Sequence, residues 1–185
     1  ILELSRKSIA KNLNATAQEI IFTSCGTEAN NWILRSAVKD LQVKRIITSK
    51  IEHHAVLYTA LVLEKEYDIQ IDYVNVKPNG EIDITHLVEL LSQEKKTLVS
   101  LMHVNNEIGT VLDLERIGRI CQEHNTLFHS DTVQSIGKTP IDLEKLSVDF
   151  IVASAHKFNG PKGTGFAFIR KNSGLQPFVF GGEQE

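Results

Sequence analysis

The chain has 185 residues, 42% of them hydrophobic and 23% charged, enough for one compact domain with a sizeable core. Twenty basic against 23 acidic residues leave a net charge of −3 with no basic block, which argues against a protein that neutralises nucleic-acid phosphates. No apolar run exceeds four residues, so no membrane helix is expected, and the two cysteines, Cys25 and Cys121, are too few for a secreted disulfide scaffold.

No signal-peptide pattern opens the chain, and a reducing cytoplasm is the expected compartment. An N-terminal helix is predicted over residues 1–13. Residues 19–24 are short and β-rich and run into Cys25-Gly26-Thr27, a strand entering a turn. Ile33, Leu34, Ala37, Val38 and Leu41 then recur at the spacing of one helix face. A strand at 45–48 precedes a helix carrying Val56, Leu57, Ala60 and Leu61. A strand at 69–76 ends in the turn Lys77-Pro78-Asn79-Gly80. Asp83 is placed to cap a helix with Leu87, Val88 and Leu91, and 97–103 reads as a strand. Asp113 is placed to cap a helix burying Leu114, Ile117, Ile120 and Cys121. Three β-runs follow at 126–130, 148–153 and 165–170. Strands alternating with helices imply one α/β domain over 1–185, a mostly parallel sheet flanked by helices. The chain opens at Ile1 without Met and stops at Gly-Gly-Glu-Gln-Glu, so it is expected to be a piece of something longer.

Ligands of such sheets sit beyond the carboxyl ends of the strands. Five strand ends here are polar: Gly26-Thr27-Glu28, Glu52-His53-His54, His103 with Asn105-Asn106-Glu107, Asp131 with Gln134, and Ser154 with His156-Lys157. Gly26 and Thr27 at a helix start suit an anion, with a plain N-cap at Thr27 as the alternative. Neither a dinucleotide fingerprint nor a nucleotide P-loop is present. Asp131 at a buried strand end needs a cation or several donors, and a protonated pyridine nitrogen fits; a helix cap is the bland alternative. His129 and Asp131 supply only two ligands, weak as a metal site. Lys157, if partly buried, is a nucleophilic amine; a solvated surface lysine is the alternative. An Asp for a pyridinium and a Lys for an imine are together the working pair of a pyridoxal phosphate (PLP) site.

Taken in order, Phe22-Thr23-Ser24 with Gly26-Thr27-Glu28, Glu52-His53, 102–109 (Met-His-Val-Asn-Asn-Glu-Ile-Gly), Asp131-x-x-Gln134-Ser135, Ser154-x-His156-Lys157 and Gly160-Pro161-Lys162-Gly163 resemble the cysteine desulfurases, PLP enzymes of the class V aminotransferase group. The match runs to Gly181-Gly182-Glu183-Gln184-Glu185. The resemblance implies the large domain of a PLP-dependent transferase of fold type I, with the N-terminal segment and a C-terminal small domain absent. It implies that Lys157 carries the cofactor and shuttles the substrate α-proton, and that Asp131 pairs with the ring nitrogen. His53 would stack on the ring and move protons, and Gln134 would donate to the phenolic oxygen. Asn106 would bind the substrate carboxylate, while Gly26, Thr27, Ser154 and His156 would hold the phosphate. No metal is expected. The implied reaction is L-cysteine to L-alanine with sulfur left as an enzyme persulfide, serving iron–sulfur cluster assembly, in a cytoplasmic homodimer that hands sulfur to an acceptor or scaffold protein.

The family's cysteine nucleophile and substrate arginine have no match here, so the fragment alone is expected to be inactive. Selenocysteine lyase or another class V lyase or aminotransferase is the close rival, and a non-catalytic scaffold domain the distant one. A Ser154/His156/Asp131 hydrolase is disfavoured by the absence of a Gly-x-Ser-x-Gly turn. His103 and Glu107 are expected to brace the loop carrying Asn106. His54, His86 and His124 are read as solvated or structural, Trp32 as packing, Cys121 as core and Cys25 as structural.

Overall fold

Side chains alternate across the strands, so each strand contributes to two cores, one on either face of a single sheet. The computed structural model describes residues 1–179 and 181. In chain order the elements are α1 (Leu2–Asn12), β1 (Ile20–Thr23), α2 (Gly26–Lys39), β2 (Arg45–Ser49), α3 (His54–Tyr67), β3 (Gln70–Val74), α4 (Ile84–Leu91), β4 (Thr97–Ser100), α5 (Leu114–Glu123), β5 (Leu127–Asp131), β6 (Phe150–Ser154) and β7 (Gly165–Ile169). Short 3-10 turns precede β1 and follow β6.

The seven strands lie in the order β1-β7-β6-β5-β4-β2-β3. Strands β2 to β6 pair in parallel, and β7 runs antiparallel to both β6 and β1. The β6–β7 link, residues 155–164, holds only a 3-10 turn and has no crossover helix, so the strand returns antiparallel. Strand β1 therefore points the same way as β6, and five carboxyl ends share one edge of the sheet.

One core packs Ile47, Val99, Phe128, Ile151 and Phe168 against Leu87, Leu91, Leu114, Ile117 and Cys121 of α4 and α5. The other packs Ile46, Leu98, Phe150, Val152 and Ala167 against Ile33, Leu34 and Ala37 of α2 and Val56 and Leu63 of α3. Asp83 and Asp113 accept from backbone N–H groups in the first turns of α4 and α5, as their spacing predicted. The strand predicted over 97–103 stops at Ser100, although Leu101 and His103 still donate to β5 carbonyls, and β3 stops at Val74. Cys121 is core, its thiol pushed up to about 12 by burial. No helix among the described residues is long and apolar enough to cross a membrane.

Candidate active site

The five carboxyl ends surround a cavity of about 310 Å³. All nine residues to which the resemblance assigns a role line it, drawn from the five turns. Gly26 and Thr27 open α2, whose N-cap is Cys25, so the alternative of a plain cap at Thr27 is not realised. Two glycines permit this approach. A Cβ on Gly26 would meet Val133 Cγ2 at 2.5 Å, and one on Gly165 of β7 would meet the Ala153 carbonyl at 2.6 Å and the Cys25 backbone at 3.0 Å. The free N–H groups of the α2 start are thereby held beside Ser154 and His156, whose Oγ and Nδ1 are 3.0 Å apart.

His53 caps α3, its Nδ1 accepting from Ala55 N at 3.1 Å, which puts the proton of the neutral ring on Nε2. Asn106 sits exposed on the rim and donates to Glu107 Oε1 at 2.6 Å. Asp131, at the end of β5, is 5% exposed; Oδ1 accepts from Val133 N at 3.0 Å and Oδ2 from Asn30 Nδ2 at 2.8 Å. Burial pushes its carboxyl up, against the Val133 N–H, the Asn30 amide and nearby His53. Gln134 stands half-buried beside it, its Oε1 accepting from Lys138 Nζ at 3.3 Å. Lys157 lies on the 3-10 turn Ala155–Phe158, which carries it, exposed, onto the cavity rim.

The loop carrying Asn106 is braced by Asn105 together with the Glu107 carboxylate, which accepts from Asn106 Nδ2. Asn105 is 5% exposed; Oδ1 accepts from Glu107 N and Ile108 N, and Nδ2 donates to Ile51 O at 2.7 Å, tying this loop to the His53 turn. His103 instead is buried with Nδ1 unbonded, and burial lowers its pKa. His86 has a bond, accepting from Asn75 N at 2.9 Å, and His54 stacks on Tyr58 with centroids 4.8 Å apart. Trp32 packs against Phe178, centroids 5.8 Å apart. A Ser–His–Asp relay is absent, since both Asp131 oxygens are engaged by Asn30 and Val133 rather than His156. No group of three or more His, Cys, Asp or Glu that could hold a metal exists among the described residues. The resemblance at residues 182–185 lies outside the described residues.

Asn30 was not singled out from sequence. The available signal was its spacing, four residues after Gly26 on the face that also carries Ile33, Leu34 and Ala37. Glu52 is the other buried acid here. Its carboxyl, 6% exposed and pushed up to about 8 by burial, accepts from Ser49 Oγ at 2.7 Å.

Comparison with known proteins gives one consistent result. The aminotransferase class-V family matches residues 1–185. The chain is similar to the cysteine desulfurase IscS of Dictyoglomus turgidum, 43% identical over 186 residues, covering 100% of this chain and 47% of that protein. It is 42% identical to the cysteine desulfurase IscS of Methanosarcina thermophila, covering 100% of this chain and 46% of the relative. Among solved structures, a NifS-like protein superposes with a TM-score of 0.93 at 43% identity, covering 99% of this chain and 51% of the other. SspA in complex with cysteine superposes with a TM-score of 0.92 at 37% identity, covering 99% and 53%. The chain thus spans about half the length of the relatives it matches.

Proposed function

Because this chain belongs to the aminotransferase class-V family, we propose that residues 1–185 form the PLP-binding large domain of a cysteine desulfurase. The whole protein would convert L-cysteine to L-alanine and leave the sulfur as an enzyme persulfide. The family is PLP-dependent and the fold is that of its fold type I members. The observation that carries the reading is Asp131, a carboxyl buried at the floor of a cavity that has Lys157 on its rim.

The residues present fit the cofactor. A buried carboxylate with two neutral donors and, among the described residues, no Lys or Arg bonded to it is matched to a cation, and a protonated pyridine nitrogen is one. The close-packed start of α2, with Thr27, Ser154 and His156 beside it, suits a dianionic phosphate. When bound, PLP supplies a cationic ring that withdraws electrons from the substrate Cα. Asp131 would hold the proton on the ring nitrogen. Lys157 Nζ would hold the cofactor, and its amine would take the proton from the substrate Cα. The His53 ring would pack on the cofactor face, and its Nε2 is free to move a proton. Gln134 would donate to the phenolic oxygen and Asn106 to the substrate carboxylate.

Sulfur removal also needs an attacking thiolate. Cys121 is buried in the core, and Cys25 lies at the start of α2, where the phosphate would bind. The acceptor thiol is therefore proposed to come from the rest of the protein, as is the substrate arginine. A cytoplasmic homodimer passing sulfur to an acceptor or scaffold protein in iron–sulfur assembly completes the proposal.

The test uses the full-length protein. Reconstitution with PLP, borohydride reduction and peptide mass spectrometry should place a pyridoxyl group on Lys157, and L-cysteine should yield alanine. Labelling at Lys50 or Lys162 instead would overturn the assignment.

A further inference from the structure

Helix α2 turns Gly26, Ile33, Leu34 and Ala37 into the protein, and Asn30 lies on the same face with 1% exposure. An amide in such a place is unfavourable unless its polar atoms find partners. Its Oδ1 has none among the described residues, and its Nδ2 donates at 2.8 Å to Asp131 Oδ2. Packing alone would be served by a leucine, as at Leu34. The position keeps a polar group whose one side-chain bond reaches the carboxylate on which the cofactor reading rests.

The two donors to Asp131 come from different elements, Val133 N on one oxygen and Asn30 on the other. A carboxylate gripped at both oxygens cannot rotate about its Cβ–Cγ bond, and each oxygen keeps a lone pair for a further donor. Resting on the PLP reading above, we propose that Asn30 is a positioning residue, its side-chain amide fixing the plane of the Asp131 carboxylate and holding it as an anionic acceptor for a cationic ring nitrogen. Burial works against that anion, and the Asn30 amide is among the groups that oppose burial. Other titratable groups close to Asp131 are Glu52 and His53 before α3, His103 after β4, Cys25 before α2, and His156 and Lys157 after β6. His129, two residues earlier on β5, is held neutral by burial, its pKa pushed down to about 3.

The experiment compares Asn30→Leu and Asn30→Ser with the parent full-length protein. Without cofactor, the Asp131 carboxyl is titrated by carbon-13 NMR, its signal identified by its loss in Asp131→Asn. Its midpoint should rise by about one pH unit in either variant, a roughly tenfold gain in proton affinity. With PLP, kcat should fall about tenfold with KM within about twofold, and the pH dependence of the bound cofactor's visible band should shift. In an Asp131→Asn background Asn30→Leu should add no further loss. A merely structural role would lower the melting temperature and leave both titrations unmoved, and that result overturns the proposal. Asn30→Ser serves the same measurements if the leucine variant does not fold. A parent that fails to bind PLP would sink the functional reading, whereas the carboxyl titration would still decide the role of Asn30.

Discussion

The two ends of the sheet treat buried polar groups differently. At the amino ends of the strands, charge is closed off by backbone. Arg170 donates to the carbonyls of Val148, Leu143 and Leu146 at 2.8–2.9 Å and lies over Phe168. Arg45, fully buried, pairs with Asp72 and donates to Leu90 O, leaving Nη2 unbonded. Glu19 accepts from Lys171 N and Thr16 N, and Asp149 from Phe128 N. At the carboxyl ends, among the described residues, Asp131 and Glu52 are buried acids with no Arg or Lys bonded to them, and Asn30 Oδ1, Glu52 Oε2 and His103 Nδ1 have no hydrogen-bond partner. The difference teaches that burial of charge does not mark a site. Bonding capacity left open around a cavity does.

Three substitutions test that contrast, from the largest effect to the smallest. Asp131→Asn in the full-length enzyme should keep the fold and lower kcat by roughly 10²- to 10³-fold, because an amide cannot hold a pyridinium proton by charge. Full turnover in that variant would erase the distinction between the ends. Glu52→Gln tests the second open acid through pH. The carboxyl ionises near 4.5 when unfolded and near 8 when folded, so between these values the folded state binds the extra proton. Its stability contribution is therefore lost as pH rises through that window and levels off above about 8. Glutamine cannot ionise, so urea unfolding should show the variant gaining on the parent by on the order of 3 kcal/mol between pH 5 and pH 8. A gap that stays constant with pH would mean the acid is not held neutral. At the other end, Arg170→Ala should cost about 2 kcal/mol by orphaning three carbonyls. It should leave kcat/KM within about twofold, and a large loss of activity would show that the amino end also serves the reaction.

Local pattern made much of this legible. The strand–helix alternation, the Asp83 and Asp113 caps and the polar residues after five strands all follow from periodicity and from the hydrogen-bonding needs of helix ends. The antiparallel return of β7 was not anticipated, although the short helix-free link before it was visible. Lys157 was legible as a residue just past a strand, but only the 3-10 turn Ala155–Phe158 places it, exposed, on the cavity rim. Asn105 and Asn30 escaped the roles they hold because their partners lie far away along the chain, Ile51 at 54 residues and Asp131 at 101.

By itself the sequence determined which residues would stand at strand ends, since alternation and turn chemistry are properties of neighbours along the chain. It also carried the family resemblance, through motifs read in order. Only the tertiary structure decided which strand ends share a cavity, which oxygen of Asp131 receives which donor, and which buried polar atoms stay unbonded. Those are distances between segments brought together by packing two cores onto one sheet, and no local periodicity encodes them.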